Sequence, residues 1–239
     1  MRYVDFLGRM ECEQALPEFL EAMEAGADTS AVRNFWVRTP AGEIARNPLR
    51  PALHDLDSLP PPDYLLEDEF VLHEGRLLPM TPELLARYHT RYYFGEPTYL
   101  AMTTRGCPFL CAYCYNSQLV AAYGSRKIRY RDLERVILEE VKPALARFPF
   151  FKSVGFSDDD FFHIKTEKLE RFAALWKREI GLPFACATSP ASCTTAKLEL
   201  LVDAGLRVVQ MGVQTGSETL NREVNNRLSS NRRILDALG

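Results

Sequence analysis

Three of the chain's six cysteines, Cys107, Cys111 and Cys114, fall within the stretch RGCPFLCAYCYN at residues 105–116. The spacing is CxxxCxxC, with Gly106 and Pro108 shaping the backbone and no fourth Cys or His nearby in the sequence. Three thiolates so arranged can hold three irons of a cubane [4Fe-4S] cluster and leave the fourth iron open. A structural zinc site closes with four ligands, and an electron-carrier ferredoxin supplies a fourth cysteine. The motif suits neither pattern. An open iron is a place for a substrate or cofactor to bind, which points to chemistry at the cluster. The plainer alternative is three cysteines that happen to lie together.

With Tyr113 before the last cysteine, the stretch resembles the CxxxCxΦC signature of the radical S-adenosylmethionine (SAM) enzymes. The resemblance implies a [4Fe-4S] cluster on Cys107, Cys111 and Cys114, with the amino and carboxylate groups of SAM on the fourth iron and Tyr113 in the cofactor site. In that family, reduction of the cluster cleaves SAM to methionine and a 5′-deoxyadenosyl radical that takes a hydrogen atom from the substrate or attacks it. GFSDDDFF stands where many members end their second strand in Gly-Gly-Glu. Its aspartate-rich ending resembles the cobalamin-type branch, which implies a SAM-contacting role for Asp158 and Asp159. The same carboxylates would also suit the N-terminal dipole of the following helix. A magnesium site is a weaker third reading, because adjacent side chains diverge on an extended backbone. GVQTGSE resembles the family's GxESGS-like segment, which implies contacts from Gln214 and Ser217 to the ribose or carboxylate of SAM. An amide in place of glutamate still bonds a hydroxyl but lacks the full charge. The alternative is a polar turn with Ser217 as a helix N-cap. No catalytic residue is singled out.

The elements that must position these residues are regular from Pro97 onward. Strands are expected over 98–103, 152–157, 183–189 and 207–213. Between them fall a helix over 132–148, with Leu133, Val136, Ile137, Val141 and Leu145 on one face, and a helix turning Leu169, Phe172, Leu175 and Trp176 inward. Pro143 should kink or divide the first of these. A third helix opens at Thr195 and stops at Gly205. Four successive strand–helix units imply a parallel, barrel-like sheet with the active site at the carboxyl ends of the strands. The radical SAM core resembles a partial barrel of six such units. The fold is therefore read as α/β, a partial (β/α) TIM-like barrel of about four of those six, with an incomplete core over 97–239.

Upstream, Leu16, Phe19, Leu20 and Met23 recur at helical spacing over 11–26. A strand over 34–38, a turn at Thr39 to Gly42 and a strand near Ile44 read as a hairpin. Five prolines between 47 and 64 favour an extended linker. Its text, RPALHDLDSLPPPDY, resembles the join between a cobalamin-binding domain and the radical SAM barrel. That branch often carries Gly-Glu-Gly-Glu before a helix; Met10, Glu11, Cys12 and Glu13 stand at that place, with both glycines replaced. The DxHxxG motif that would present a cobalt-ligating histidine is absent, and His54, His73, His89 and His163 read as surface or structural. Residues 1–46 are accordingly read as a remnant of a cobalamin-binding-type domain, 47–64 as a linker and 65–96 as a connecting segment. The last carries a strand or two, a short helix near 83–88 and an aromatic cluster lying over a barrel end. Cobalamin would belong to a full-length protein and is not expected from this chain alone, which reads as truncated at both ends.

A net charge of −3 lacks the basic excess of a nucleic-acid binder, so no nucleic-acid partner is expected. No apolar run reaches the roughly 18 residues of a membrane span, and the first residues lack a signal peptide's apolar centre. A cytoplasmic location, which suits a thiolate-bound cluster, is expected, with Cys12, Cys186 and Cys193 too scattered for a disulfide framework. The reading that results is a radical SAM enzyme acting on an unidentified small molecule by methyl transfer, cyclisation or rearrangement. Its electron donor would be of flavodoxin or ferredoxin type. The rivals are a non-catalytic iron–sulfur or zinc module, closed by Cys186 or Cys193 as a fourth thiolate, and an inactive fragment of such an enzyme.

Overall fold

The computed structural model describes residues 3–64 and 66–238; Met1, Leu65 and Gly239, which bound the expected domains, lie outside the described residues. The chain forms two compact units, Met1–His54 with Tyr113–Arg126, and Asp55–Ala112 with Lys127–Gly239.

The first unit opens with β1 (Phe6–Gly8), α1 (Ala15–Glu24), β2 (Phe35–Arg38) and β3 (Ile44–Arg46). The expected hairpin is present as β2 and β3, and β1 adds to its other edge, giving an antiparallel sheet with β2 in the middle. Alternation along β2 sends Phe35 and Val37 inward, where Phe35 stacks on Phe19 of α1 at 4.2 Å between ring centroids. The helix meets the sheet along a narrow stripe of Ala15 and Phe19. Leu16, Leu20 and Met23, which recur with Phe19 at helical spacing, are 46 to 48% exposed. Asn34 is a buried hub: its Nδ2 donates to the carbonyls of Arg9 and Glu11, and its Oδ1 accepts from Arg50 N. Its φ of +71° is a conformation that asparagine tolerates.

The second unit begins with the hairpin β4 (Phe70–His73) and β5 (Arg76–Pro79) and the short helix α2 (Pro82–Tyr88). The Pro-rich segment before them is anchored, with Leu56 buried and the Asp57 carboxylate accepting from Asp132 N at 2.9 Å. Next come β6 (Thr98–Ala101) and β7 (Thr104–Arg105), after which α3 (Tyr115–Tyr123) belongs to the first unit. The second unit resumes with β8 (Arg129–Tyr130), α4 (Leu133–Arg135), a π-helical turn at Val136–Val141 and α5 (Lys142–Arg147). The division expected of Pro143 takes this form: proline has no amide hydrogen for the helical ladder, and the turn before it is widened. The remaining elements are β9 (Ser153–Phe156), α6 (Thr166–Glu179), β10 (Phe184–Thr188), α7 (Thr195–Ala204), β11 (Leu206–Met211), α8 (Glu218–Glu223) and α9 (Asn231–Leu238).

The sheet runs β11-β10-β9-β6, all parallel, so the α/β architecture expected from the repeating units is present. Among the described residues it does not close into a barrel. All four residues of β9 are buried, as a strand covered on both faces requires. One face carries an aromatic core in which Phe156 meets Phe161, Phe172, Trp176 and Phe184 at 4.9 to 5.7 Å between ring centroids. At Gly155 a Cβ would lie 2.7 Å from the Tyr93 ring, so the strand needs glycine there for the tyrosine to lie on the sheet. Tyr92 extends this cover, its hydroxyl accepting from Gln210 Nε2 of β11. No helix among the described residues is long and apolar enough to cross a membrane.

Candidate cofactor site

The cysteine loop leaves the carboxyl end of β6. Its base is closed by β7 against β8, an antiparallel pair matching Thr104 with Tyr130 and Arg105 with Arg129. Gly106 then turns at φ +106°, a conformation that favours glycine. Burial pushes the Cys107 thiol up to about 11, with the charges of Asp159 and Asp160 adding to the rise and a bond from the Phe109 backbone opposing it. Cys111 is buried, and Arg227 Nη1 stands 3.7 Å from its Sγ. In the first unit, Cys114 is the N-cap residue of α3, where its carbonyl accepts from Ser117 Oγ at 2.6 Å and its Sγ from Asn116 Nδ2 at 3.8 Å. Tyr113 is 53% exposed. All three thiols are free of disulfides. Among the described residues, no three His, Cys, Asp or Glu side chains stand close enough together to hold a metal ion.

The aspartate run follows β9, and the pleat divides its members. Asp158 is buried; its Oδ1 accepts from Thr103 Oγ1 at 2.8 Å and Thr104 Oγ1 at 2.6 Å, and its carboxylate also accepts from Thr103 N. Burial raises its pKa, and these hydrogen bonds oppose the rise. Asp160, also buried, accepts from Thr188 Oγ1 at 2.9 Å, Ser189 Oγ at 3.0 Å and Ser192 Oγ at 2.6 Å. The outer two carboxylates therefore tie the end of β9 to the segments after β6 and β10. Asp159 between them is exposed. None of the three makes a side-chain cap to the helical turn that follows; Asp160, its N-cap residue, has no such bond.

After β11, Gln214 holds φ +71°, and its Nε2 would lie 2.7 Å from a Cβ at Gly212. Ser217 caps α8, its Oγ accepting from Leu220 N. That geometry realises the N-cap alternative and leaves the hydroxyl proton available to a ligand. The stretch Asn221 to Arg227 gave no signal in the sequence, yet it holds the cysteine loop. Ala112 N donates to Asn225 O at 3.0 Å, and Asn226 Nδ2 donates to Leu110 O at 2.6 Å. A cavity of about 360 Å³ opens beside Cys111, lined in part by Phe109, Ser189, Arg227 and Arg233. Thiols free of disulfides in a CxxxCxxC spacing are the donor chemistry that a three-thiolate cluster requires, and the cavity lies beside the middle one.

The remaining candidates lie in packing positions. Cys186 on β10 and Cys193 are buried in the core of the second unit. His73 Nδ1 is 2.6 Å from the Tyr88 hydroxyl, and His89 meets the Phe151 ring edge-on.

A profile of the radical SAM superfamily matches residues 102–239. Among curated proteins, the chain is 24% identical over 215 residues to an uncharacterized methyltransferase of Pyrococcus horikoshii, covering 90% of this chain and 41% of that protein. It is 24% identical over 248 residues to the anaerobic magnesium-protoporphyrin IX monomethyl ester cyclase of Rubrivivax gelatinosus, covering 99% and 39%. The fold is similar to that of the cobalamin-dependent S-adenosylmethionine radical enzyme OxsB, at TM-score 0.71 and 16% identity over 98% of this chain and 31% of that one. It is also similar to the radical S-adenosylmethionine methyltransferase TsrM of Kitasatospora setae, at TM-score 0.63 and 16% identity over 98% and 43%. The chain thus spans less than half the length of each.

Proposed function

Because the chain belongs to the radical SAM superfamily, we propose that it carries the cofactor-binding part of an enzyme that cleaves SAM reductively. The observation that carries this reading is the CxxxCxΦC loop at the carboxyl end of the first strand of a parallel sheet. Cys107, Cys111 and Cys114 are the ligands of a [4Fe-4S] cluster, which when bound and reduced supplies the electron that splits SAM into methionine and a 5′-deoxyadenosyl radical. Tyr113 borders the cofactor. Asp159, exposed between two buried neighbours, meets the amino group of SAM. Asp158, with its carboxylate committed to Thr103 and Thr104, supports that contact by holding the loop in place. Gln214 and Ser217 hydrogen-bond the ribose or carboxylate of SAM, and the Tyr92–Tyr93 cover keeps water off the sheet face below.

The substrate is a small molecule, and the outcome is methyl transfer, cyclisation or rearrangement; the curated relatives are named for the first two. An electron donor of flavodoxin or ferredoxin type and a cytoplasmic setting complete the reading. Residues 1–46 are the remnant of a cobalamin-binding-type domain, 47–64 a linker, 65–96 a connecting segment and 97–239 the radical SAM core. Cobalamin would enter through a full-length protein, since no DxHxxG stretch is present here.

Anaerobic reconstitution with iron and sulfide, followed by electron paramagnetic resonance with and without SAM and an assay for 5′-deoxyadenosine, tests the proposal. A spectrum that changes on SAM addition, with 5′-deoxyadenosine formed, is expected. A cluster indifferent to SAM would favour the non-catalytic module. Failure to take up iron would sink both.

A further inference from the structure

Three consecutive residues, Asn225 to Arg227, meet three consecutive residues of the cysteine loop, Leu110 to Ala112. Two of these contacts are made to the loop's backbone: Ala112 N to Asn225 O and Asn226 Nδ2 to Leu110 O. The third is of a different kind, because Arg227 Nη1 approaches the Cys111 sulfur itself at 3.7 Å. The guanidinium is fixed in place. Its Nη2 donates to Gly212 O at 2.7 Å just beyond β11, and Arg227 N donates to Asn221 O at 2.7 Å. Asn221 is in turn buried and bonded through Nδ2 to Thr215 O at 2.9 Å and through Oδ1 to Asn225 Nδ2 at 3.2 Å. Arginine offers a permanent charge and a planar fork, so one side chain can serve a carbonyl and a sulfur at once.

We propose that Arg227 is a positioning residue for Cys111, donating an N–H···S hydrogen bond that orients this ligand and raises the reduction potential of the cluster it holds. The inference rests on the cluster assignment above. Its physical basis is that hydrogen bonds and positive charge at a ligating sulfur stabilise the extra electron of the reduced cluster, and burial of Cys111 limits dilution of that effect by water. Asn226 and Arg227 should accordingly separate by readout. Loss of the Asn226 side chain loosens the loop and lowers cluster occupancy, whereas loss of the guanidinium alters the electron affinity of the clusters that do form.

The test is a redox titration of reconstituted wild-type protein, Arg227→Gln, Arg227→Lys and Asn226→Ala without SAM, read by electron paramagnetic resonance and normalised to bound iron. At a fixed potential, Arg227→Gln is expected to lower the ratio of reduced to oxidised cluster about tenfold, a midpoint about 59 mV more negative for one electron. Arg227→Lys keeps the charge but cannot serve Gly212 O and Sγ together, so a smaller shift of the same sign is expected. Asn226→Ala should lose occupancy at an unchanged midpoint. A wild-type midpoint in loaded Arg227→Gln overturns the inference. If that variant does not fold by circular dichroism, a wild-type midpoint in Arg227→Lys overturns it. Wild-type protein that binds no iron would bring down the cluster assignment and this inference with it, and that failure appears in the iron content before any potential is read.

Discussion

His89 lies half-buried against Phe151, with ring centroids 4.7 Å apart, and burial pulls its pKa below the ordinary histidine value while a hydrogen bond with the Thr98 backbone opposes the shift. A lowered folded-state value means that the unfolded chain accepts the proton first. The stability that His89 contributes is thus complete above about pH 6.5, the usual histidine value, and is lost as pH falls from there through the folded value. Thermal unfolding between about pH 7.5 and 5.5 should show a shallower loss for His89→Phe than for wild type; equal slopes would exclude burial as the cause. At the same scale, the cysteine loop was legible as a motif because three cysteines within eight residues stand out in a chain with only six. The aspartates were legible as a group but not individually, since three identical letters conceal a pleat that buries Asp158 and Asp160 and exposes Asp159. Arg227 carried no signal, because the sulfur it contacts lies 116 residues away in the chain.

Among the elements, the π-helical turn carries a buried carboxylate. Glu140 pairs with Arg131, with Oε2 to Nη1 at 2.6 Å, and Oε1 accepts from the Tyr99 hydroxyl at 3.4 Å. Arg131 also donates to Met102 O, so the pair joins the helical run to the strand that leads into the cysteine loop. Removing one partner strands a charge in a site where Glu140 is 4% exposed. Arg131→Met is expected to cost about 3–5 kcal/mol in urea unfolding, with most of it recovered in Arg131→Met/Glu140→Leu. A cost near zero for the single variant would show the carboxylate to be solvated. The long helix α6 was readable because burial of one face writes a helical period into the sequence, and β9 because a strand covered on both faces reads as a short apolar run. The strands β1, β7 and β8, of two or three residues each, are too short to carry one. The outward turn of Leu16, Leu20 and Met23 escaped because helical spacing marks a stripe without stating how wide a contact it makes.

At the scale of the molecule, four strand–helix repeats were enough to specify a parallel sheet, since parallel neighbours require crossovers of this kind. What repetition cannot specify is that the two ends of the sheet differ. At the carboxyl rim, Asp158 and Asp160 tie the segments after three adjacent strands, β6, β9 and β10. Hydrogen–deuterium exchange should therefore find the Thr103 amide, which donates to Asp158, among the slow exchangers, and Asp158→Asn should hasten it by roughly tenfold or more, as expected from weakening a charge-assisted bond. Unchanged exchange would mean that the rim opens independently of the carboxylate. The sheet is then a zipper with its stop at the end where the cysteines leave, and thermal breathing would begin at the far end and fade before it reaches them.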